Sequence, residues 1–138
     1  MSQKVLIVED DLILSCILKE IFQLKGWSTE TAISGKEALV LVETYNPDVI
    51  LSDINMPVMG GLEMLESLYL KECMTPVVFL SGFRDAEKMT TAWRLCAYDF
   101  LDKPFEKEKV LMVCDAAAVY GKDYVVSARK RNKKIVKA

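Results

Sequence analysis

Val5-Leu6-Ile7-Val8, the acids Glu9-Asp10-Asp11 and the run from Leu12 to Leu24 form the stretch that decides the fold. Four successive apolar, β-prone residues without alternation are the pattern of a parallel strand covered on both faces. Behind the acids, Leu14, Ile17, Leu18 and Ile21 recur at helical spacing until Gly26 stops the run. A buried strand feeding an amphipathic helix is half of a βαβ unit, and working outward the same alternation recurs. Trp27 to Ala32 reads as a second, more exposed strand. Ser34-Gly35-Lys36-Glu37 is a capping box that opens a helix to about Tyr45, ended by Asn46-Pro47. Val49-Ile50-Leu51 is a third strand with Ser52-Asp53 at its end, and Asn55 to Gly61 is a loop. Leu62 to Leu70 is helical, Val77-Val78-Phe79-Leu80 is a fourth strand closed by Ser81-Gly82, and Asp85 to Cys96 is a weaker helix. Tyr98 to Leu101 is a short fifth strand, and after Lys103-Pro104 a last helix starts near Glu106. Five strands alternating with five helices predict an α/β fold: an open, doubly wound parallel sheet with helices on both faces.

Composition agrees with one globular domain. The 138 residues are 51% hydrophobic and 28% charged, enough for a core without a disulfide or metal staple. The chain has no histidine, which excludes Ser-His-Asp and Cys-His catalysis and histidine-bound zinc or haem within it. Cys16, Cys73, Cys96 and Cys114 lack metal-ligand spacing and read as reduced thiols of a cytoplasmic protein. No signal peptide or membrane span is read from the sequence. From Lys122 onward, seven Lys/Arg stand against one Asp, whereas the residues before hold eleven Lys/Arg and nineteen acids. An acidic body with a basic end is not the footprint of a nucleic-acid-binding domain, so specific nucleic-acid binding is not expected of this chain.

In open parallel sheets the ligand site lies beyond the carboxyl ends of the strands. Glu9, Asp10 and Asp11 follow the first strand, Asp53 ends the third, Ser81 follows the fourth and Lys103 the fifth. Taken alone, Asp11 is a helix cap and Lys103 a solvated lysine. Together on one edge they are a site. Clustered carboxylates without His or Cys suit a hard cation, Mg²⁺ or Mn²⁺. Asp53 is then the natural nucleophile toward phosphorus, with Lys103 and the Ser81 hydroxyl to stabilise the transferred group. No Gly-x-x-x-x-Gly-Lys-Ser/Thr loop or Gly-x-Gly-x-x-Gly is present to cradle a nucleotide.

On Val5-Leu6-Ile7-Val8-Glu9-Asp10-Asp11, Leu51-Ser52-Asp53 to Gly61, Phe79-Leu80-Ser81-Gly82 and Asp102-Lys103-Pro104-Phe105, the sequence resembles the receiver domain of two-component response regulators. The resemblance covers roughly residues 4–120. It implies the flavodoxin-like strand order 2-1-3-4-5 and a single-domain regulator of the chemotaxis type. It also implies a phosphorelay switch in which Asp53 accepts a phosphoryl group from a histidine kinase or a histidine phosphotransfer protein. By the same resemblance Asp10, Asp53 and the backbone carbonyl of Asn55 bind Mg²⁺, with Glu9 acting through water. Lys103 contacts the phosphate, and the Lys103-Pro104 bond is cis. Ser81 and Phe100 form the switch pair, the ring turning inward when the hydroxyl turns to the phosphate. The readout face lies around the fourth helix, fifth strand and fifth helix, with Trp93 and Tyr98 as candidates on it, and a second copy of the chain is one candidate partner.

Departures from the family pattern sharpen the expectations. Phe83, two residues after Ser81, is bulky enough to shield the phosphate, which predicts slow self-dephosphorylation. Cys96-Ala97 replaces a usual Gly-Ala, which predicts a less sharp entry to the fifth strand. Residues 1–121 are read as the receiver and 122–138 as a basic extension, helical to about Arg129 and frayed beyond, with Val125, Val126, Ile135 and Val136 as partner contacts. The two competing functions are a constitutive, phosphorylation-independent interaction domain and an aspartyl-phosphate phosphatase. The phosphatase is disfavoured because Asn55 stands where such enzymes carry a second, proton-transferring Asp.

Overall fold

The computed structural model describes residues 3–82 and 85–137, with side chains through Lys133. Phe83 lies outside the described residues, and so do the side chains of Ile135 and Val136. The elements alternate strictly: β1 (Lys4–Val8), α1 (Leu12–Leu24), β2 (Ser28–Ala32), α2 (Gly35–Tyr45), β3 (Val49–Asp53), α3 (Gly61–Leu70), β4 (Val77–Ser81), α4 (Ala86–Arg94), β5 (Asp99–Asp102) and α5 (Lys107–Lys137). All strands pair in parallel in the order β2-β1-β3-β4-β5. This is the doubly wound, flavodoxin-like α/β sheet with five helices.

Alternation along each strand divides the core into two layers. Leu6, Val8, Ile50 and Phe79 pack against Ala38 and Val42 of α2, Met64, Leu65 and Leu68 of α3 and Ala92 of α4. Val5, Ile7, Leu51 and Val78 face the other way, onto Leu18 and Phe22 of α1 and Val110, Cys114 and Ala117 of α5. Both layers use successive residues of one strand, which is why β1, β3 and β4 read as unbroken apolar runs. β2 is an edge strand, and its Trp27 neighbour belongs to the turn before it, where the indole stands edge-on to Phe22 with ring centroids 5.0 Å apart.

Helix ends follow local chemistry. Asp11 caps α1 by accepting from the backbone of Ile13 and Leu14 at 3.0 and 3.2 Å, and Asp85 caps α4 by accepting from Glu87 and Lys88. Ser34 accepts from Glu37 at the start of α2. At the end of α4, Cys96 donates to the Trp93 carbonyl and Ala97 to the Ala92 carbonyl, both at 3.0 Å, a Schellman closure with Cys96 at φ 69°. The turn into β5 is therefore as sharp as a glycine would make it, and the expectation of a gentler entry is corrected. A non-glycine residue in this conformation costs on the order of 1–2 kcal/mol. The Cys96 side chain is buried beneath α5, where it packs with Val125 and Ala128.

α5 also departs from expectation. It continues without a break from Lys107 to Lys137 and does not fray after Arg129. The reason is a second inward-facing stripe at helical spacing, apolar at Val125 and Ala128 and polar at Arg129 and Asn132, that reaches under the ends of α3 and α4. Val125 and Ala128 are buried against Cys96, Tyr69 and Met74. The Arg129 guanidinium lies 4.9 Å from the Tyr69 ring centroid and donates to the Cys73 carbonyl at 2.6 Å, and Asn132 donates to the Arg94 carbonyl at 2.9 Å. Val125 is thus an internal contact and not a partner contact. Gly121 permits this course, because a Cβ there would stand 2.5 Å from two Pro76 ring atoms. Val125→Ala is expected to lower the unfolding free energy by about 1–2 kcal/mol, whereas exposed Lys130→Ala stays within about 0.5 kcal/mol. Urea denaturation of the two variants measures the difference, and equal midpoints would show that this part of α5 contributes nothing to folding.

Candidate functional site

Register alone brings the site together. Val8 pairs with Ser52, Asp53 with Leu80, and Ser81 with Asp102, so β1, β3, β4 and β5 end on one edge. Glu9, Asp53, Ser81 and Lys103 stand at those ends or one residue beyond. Gly61 starts α3 directly beneath, its N–H on the Ile54 carbonyl at 2.8 Å. Between them Met59 donates to the Pro57 carbonyl at 2.9 Å, and Val58 takes φ 73°. A β-branched residue in that region is strained, and Val58 stands in the same loop as Asn55.

Glu9, Asp10 and Asp53 each offer one carboxylate oxygen within 4.8 Å of the others. Asp10 is exposed, Asp53 half-buried and Glu9 only 2% exposed. Lys103 lies among them, with Nζ 2.9 Å from Glu9 Oε1 and 3.2 Å from Asp53 Oδ2. Burial holds the Glu9 carboxyl above the ordinary range even though the Lys103 hydrogen bond opposes it. Burial alone would lower the Lys103 ammonium, but its bond to Glu9 and the charge of Asp53 outweigh this and its pKa is raised. One cation facing three carboxylates leaves net negative charge, with each like pair at about 4 Å repelling by roughly 1–4 kcal/mol. The all-oxygen donor set fits a hard divalent cation, as the sequence predicts.

The remaining residues fall into place around this centre. Asn55 donates its backbone N–H to Asp53 Oδ1 at 3.3 Å. Ser81 is buried at the end of β4. The Lys103-Pro104 peptide is cis. Phe100 lies away from the carboxylates on the α4 side, its ring 5.5 Å from Phe79 and 5.1 Å from Trp93 between centroids, and 9% exposed. In this conformation the ring is buried. Trp93 is 43% exposed beside it, while Tyr98 packs edge-on against Tyr124 within the fold. Sequence reasoning missed Lys88, which comes from the first turn of α4 to donate to Asn55 Oδ1. The available signal was its distance along the chain from Ser81, close enough to return to the same edge.

The site is thus a strand-end acid cluster with one lysine on a flavodoxin-like sheet. The sequence profile of the response regulator receiver domain matches residues 5–115, and the chain belongs to that family. Regulatory protein AtoC of Escherichia coli is 33% identical over 114 residues, 83% of this chain and 25% of the relative. The DNA-binding transcriptional regulator NtrC of Klebsiella pneumoniae is 35% identical over 80% of this chain and 24% of its own length. The chain thus spans about a quarter of these two relatives. Among solved structures, chemotaxis protein CheY4 of Vibrio cholerae is similar at TM-score 0.78 with 32% identity, covering 83% of this chain and 98% of its own. The N-terminal domain of an uncharacterized protein from Wolinella succinogenes, 30% identical at TM-score 0.78, covers 99% of this chain and all of that one. Among the described residues no helix is long and apolar enough to cross a membrane, and all four cysteines are free thiols.

Proposed function

We propose that this receiver is a phospho-aspartate switch with Asp53 as the acceptor. The observation that carries the reading is the contact of Lys103 with both Glu9 and Asp53 inside a three-carboxylate cluster. An Asp53 oxygen forms a bond to the phosphorus of a phosphohistidine as the P–N bond breaks and the departing imidazole keeps the electron pair. These 138 residues hold no histidine, so the donor histidine lies outside them, on a histidine kinase or a histidine phosphotransfer protein. Asp10, Asp53 and the Asn55 carbonyl would hold Mg²⁺, with Glu9 acting through water, and the ion would supply positive charge to the transferred oxygens. Lys103 binds one phosphoryl oxygen, and Ser81 binds another through its hydroxyl. Hydrolysis reverses the modification: water attacks phosphorus, and Asp53 leaves as the carboxylate.

The output is a shift between two conformations of the surface formed by α4, β5 and α5, with the buried Phe100 ring marking one of them. Moving such a mixture from 1:99 to 99:1 takes about 5.5 kcal/mol of differential stabilisation. A downstream protein or a second copy of the chain reads that surface. We take residues 1–121 as the receiver unit, 122–138 as an extension of its last helix, and the cytoplasm as its compartment. Asn55 cannot transfer protons, which is why the cycle is confined to the domain's own aspartate. Intact mass after incubation with Mg²⁺ and acetyl phosphate is expected to rise by one phosphoryl group, and not to rise for Asp53→Asn or in excess EDTA. An equal gain in the Asp53→Asn protein would refute the assignment.

A further inference from the structure

Lys88 is half-buried on the first turn of α4. Its ammonium rests on the Asn55 side-chain oxygen, and Asn55 in turn donates its backbone N–H to the Asp53 carboxylate at 3.3 Å. Two hydrogen bonds therefore link the acceptor to a helix at the edge of the sheet. Lys88 also borders an open groove of about 470 Å³ with Asn55, Met56 and Glu63, so its head group has room to move. α4 is lightly anchored, since Ala92 is the one buried residue of its nine. A helix held by so little buried surface can shift at low cost.

The parking place is weaker than the destination. A lysine bonded to a neutral amide oxygen lacks the charge–charge attraction that an anionic oxygen adds. A phosphoryl group carries a charge of about −1.5 to −2 and three acceptor oxygens. Lys103, which approaches from the β5 side, is already shared between Glu9 and Asp53. We propose that Lys88 is the second cation of the phosphoryl site. It rests on Asn55 until Asp53 is modified, then transfers to a phosphoryl oxygen and draws the first turn of α4 toward the strand edge. The inference rests on Asp53 being the acceptor, and it makes α4 the element that the modification pulls. Trp93, on the same helix and against Phe100, reports that movement.

Trp27→Phe leaves Trp93 as the sole tryptophan. In that background, beryllofluoride is titrated with Mg²⁺ present while Trp93 emission is followed, and intact mass after acetyl phosphate is recorded in parallel. The background protein is expected to show a saturable emission change. Lys88→Gln and Lys88→Met are expected to shift the midpoint about five- to tenfold upward and to reduce the change at saturation. Melting without beryllofluoride is expected to be unaltered in both, which separates the effect from misfolding. Lys88→Arg restores midpoint and amplitude. A gain of phosphoryl mass together with an unaltered titration in both neutral variants would overturn the role of Lys88 alone. A background protein that neither gains mass nor binds beryllofluoride would overturn the acceptor assignment, and Lys88 with it.

Discussion

Gly61→Ala is expected to cost about 3 kcal/mol of folding stability, at the upper end of what overpacking causes. A Cβ at this position would stand 2.4 Å from the Asp53 carbonyl oxygen, 2.7 Å from Phe79 Cε1 and 3.1 Å from Ile54 Cα. Two of these neighbours are backbone atoms at the end of β3 and just beyond it, and the third belongs to a fully buried ring, so none can move aside cheaply. Relief requires α3 to lift off the end of β3, which also displaces the Asp53 carboxylate from Glu9 and Lys103. The variant should therefore lose Mg²⁺-dependent mass gain together with stability. Gly82→Ala is the control, because its Cβ would meet only Lys103 side-chain atoms at 3.5 and 3.8 Å. Urea unfolding of both proteins checks the contrast, and a Gly61→Ala midpoint equal to that of Gly82→Ala contradicts it.

Lys103→Gln is expected to lower stability by about 2 kcal/mol at pH 7 in the absence of divalent cation. Glu9 is buried and its only ion-pair partner among the described residues is Lys103, so removing the ammonium leaves an uncompensated charge. Loss of one partner of a fully buried pair costs roughly 3–5 kcal/mol, and the figure is discounted here because the Lys103 side chain is 24% exposed. The sign of the pH dependence follows from Glu9, whose pKa is already raised by burial. The folded state then holds the Glu9 proton more tightly than the unfolded chain, so stability from this group declines as pH rises above 4.5. Without Lys103 the decline steepens. The difference between variant and wild type should thus be largest near neutrality and shrink toward pH 4.5. If the cluster binds Mg²⁺ in the folded state alone, the ion should raise the variant's melting midpoint more than the wild type's. A pH-independent difference would show that Lys103 acts by packing and not by charge.

Much of the architecture was legible because it depends on burial within single elements. β1, β3 and β4 are apolar on consecutive positions since both faces are covered, and the capping residues Asp11, Ser34 and Asp85 act within one turn. The carboxylate cluster was legible for a related reason: parallel strands of similar length bring their ends to one edge. What escaped depends on contacts between distant segments. Arg129 and Asn132 read as part of a charged tail until α5 is laid under α3 and α4, and no local pattern says that it lies there. Cys96 predicts a looser turn from its side chain, but the Schellman bonds and burial under α5 impose the left-handed conformation. Lys88 carries no motif, and its bond to Asn55 exists because α4 returns to the strand edge.

Reductive trapping locates the phosphoryl group on the chain. The protein is incubated with Mg²⁺ and acetyl phosphate, treated with sodium borohydride to convert any aspartyl phosphate to homoserine, and mapped by peptide mass spectrometry. Homoserine is expected at position 53 and at no other acid, with none formed when Mg²⁺ is withheld. Homoserine at position 10, or unmodified Asp53 in protein that has gained phosphoryl mass, would contradict it.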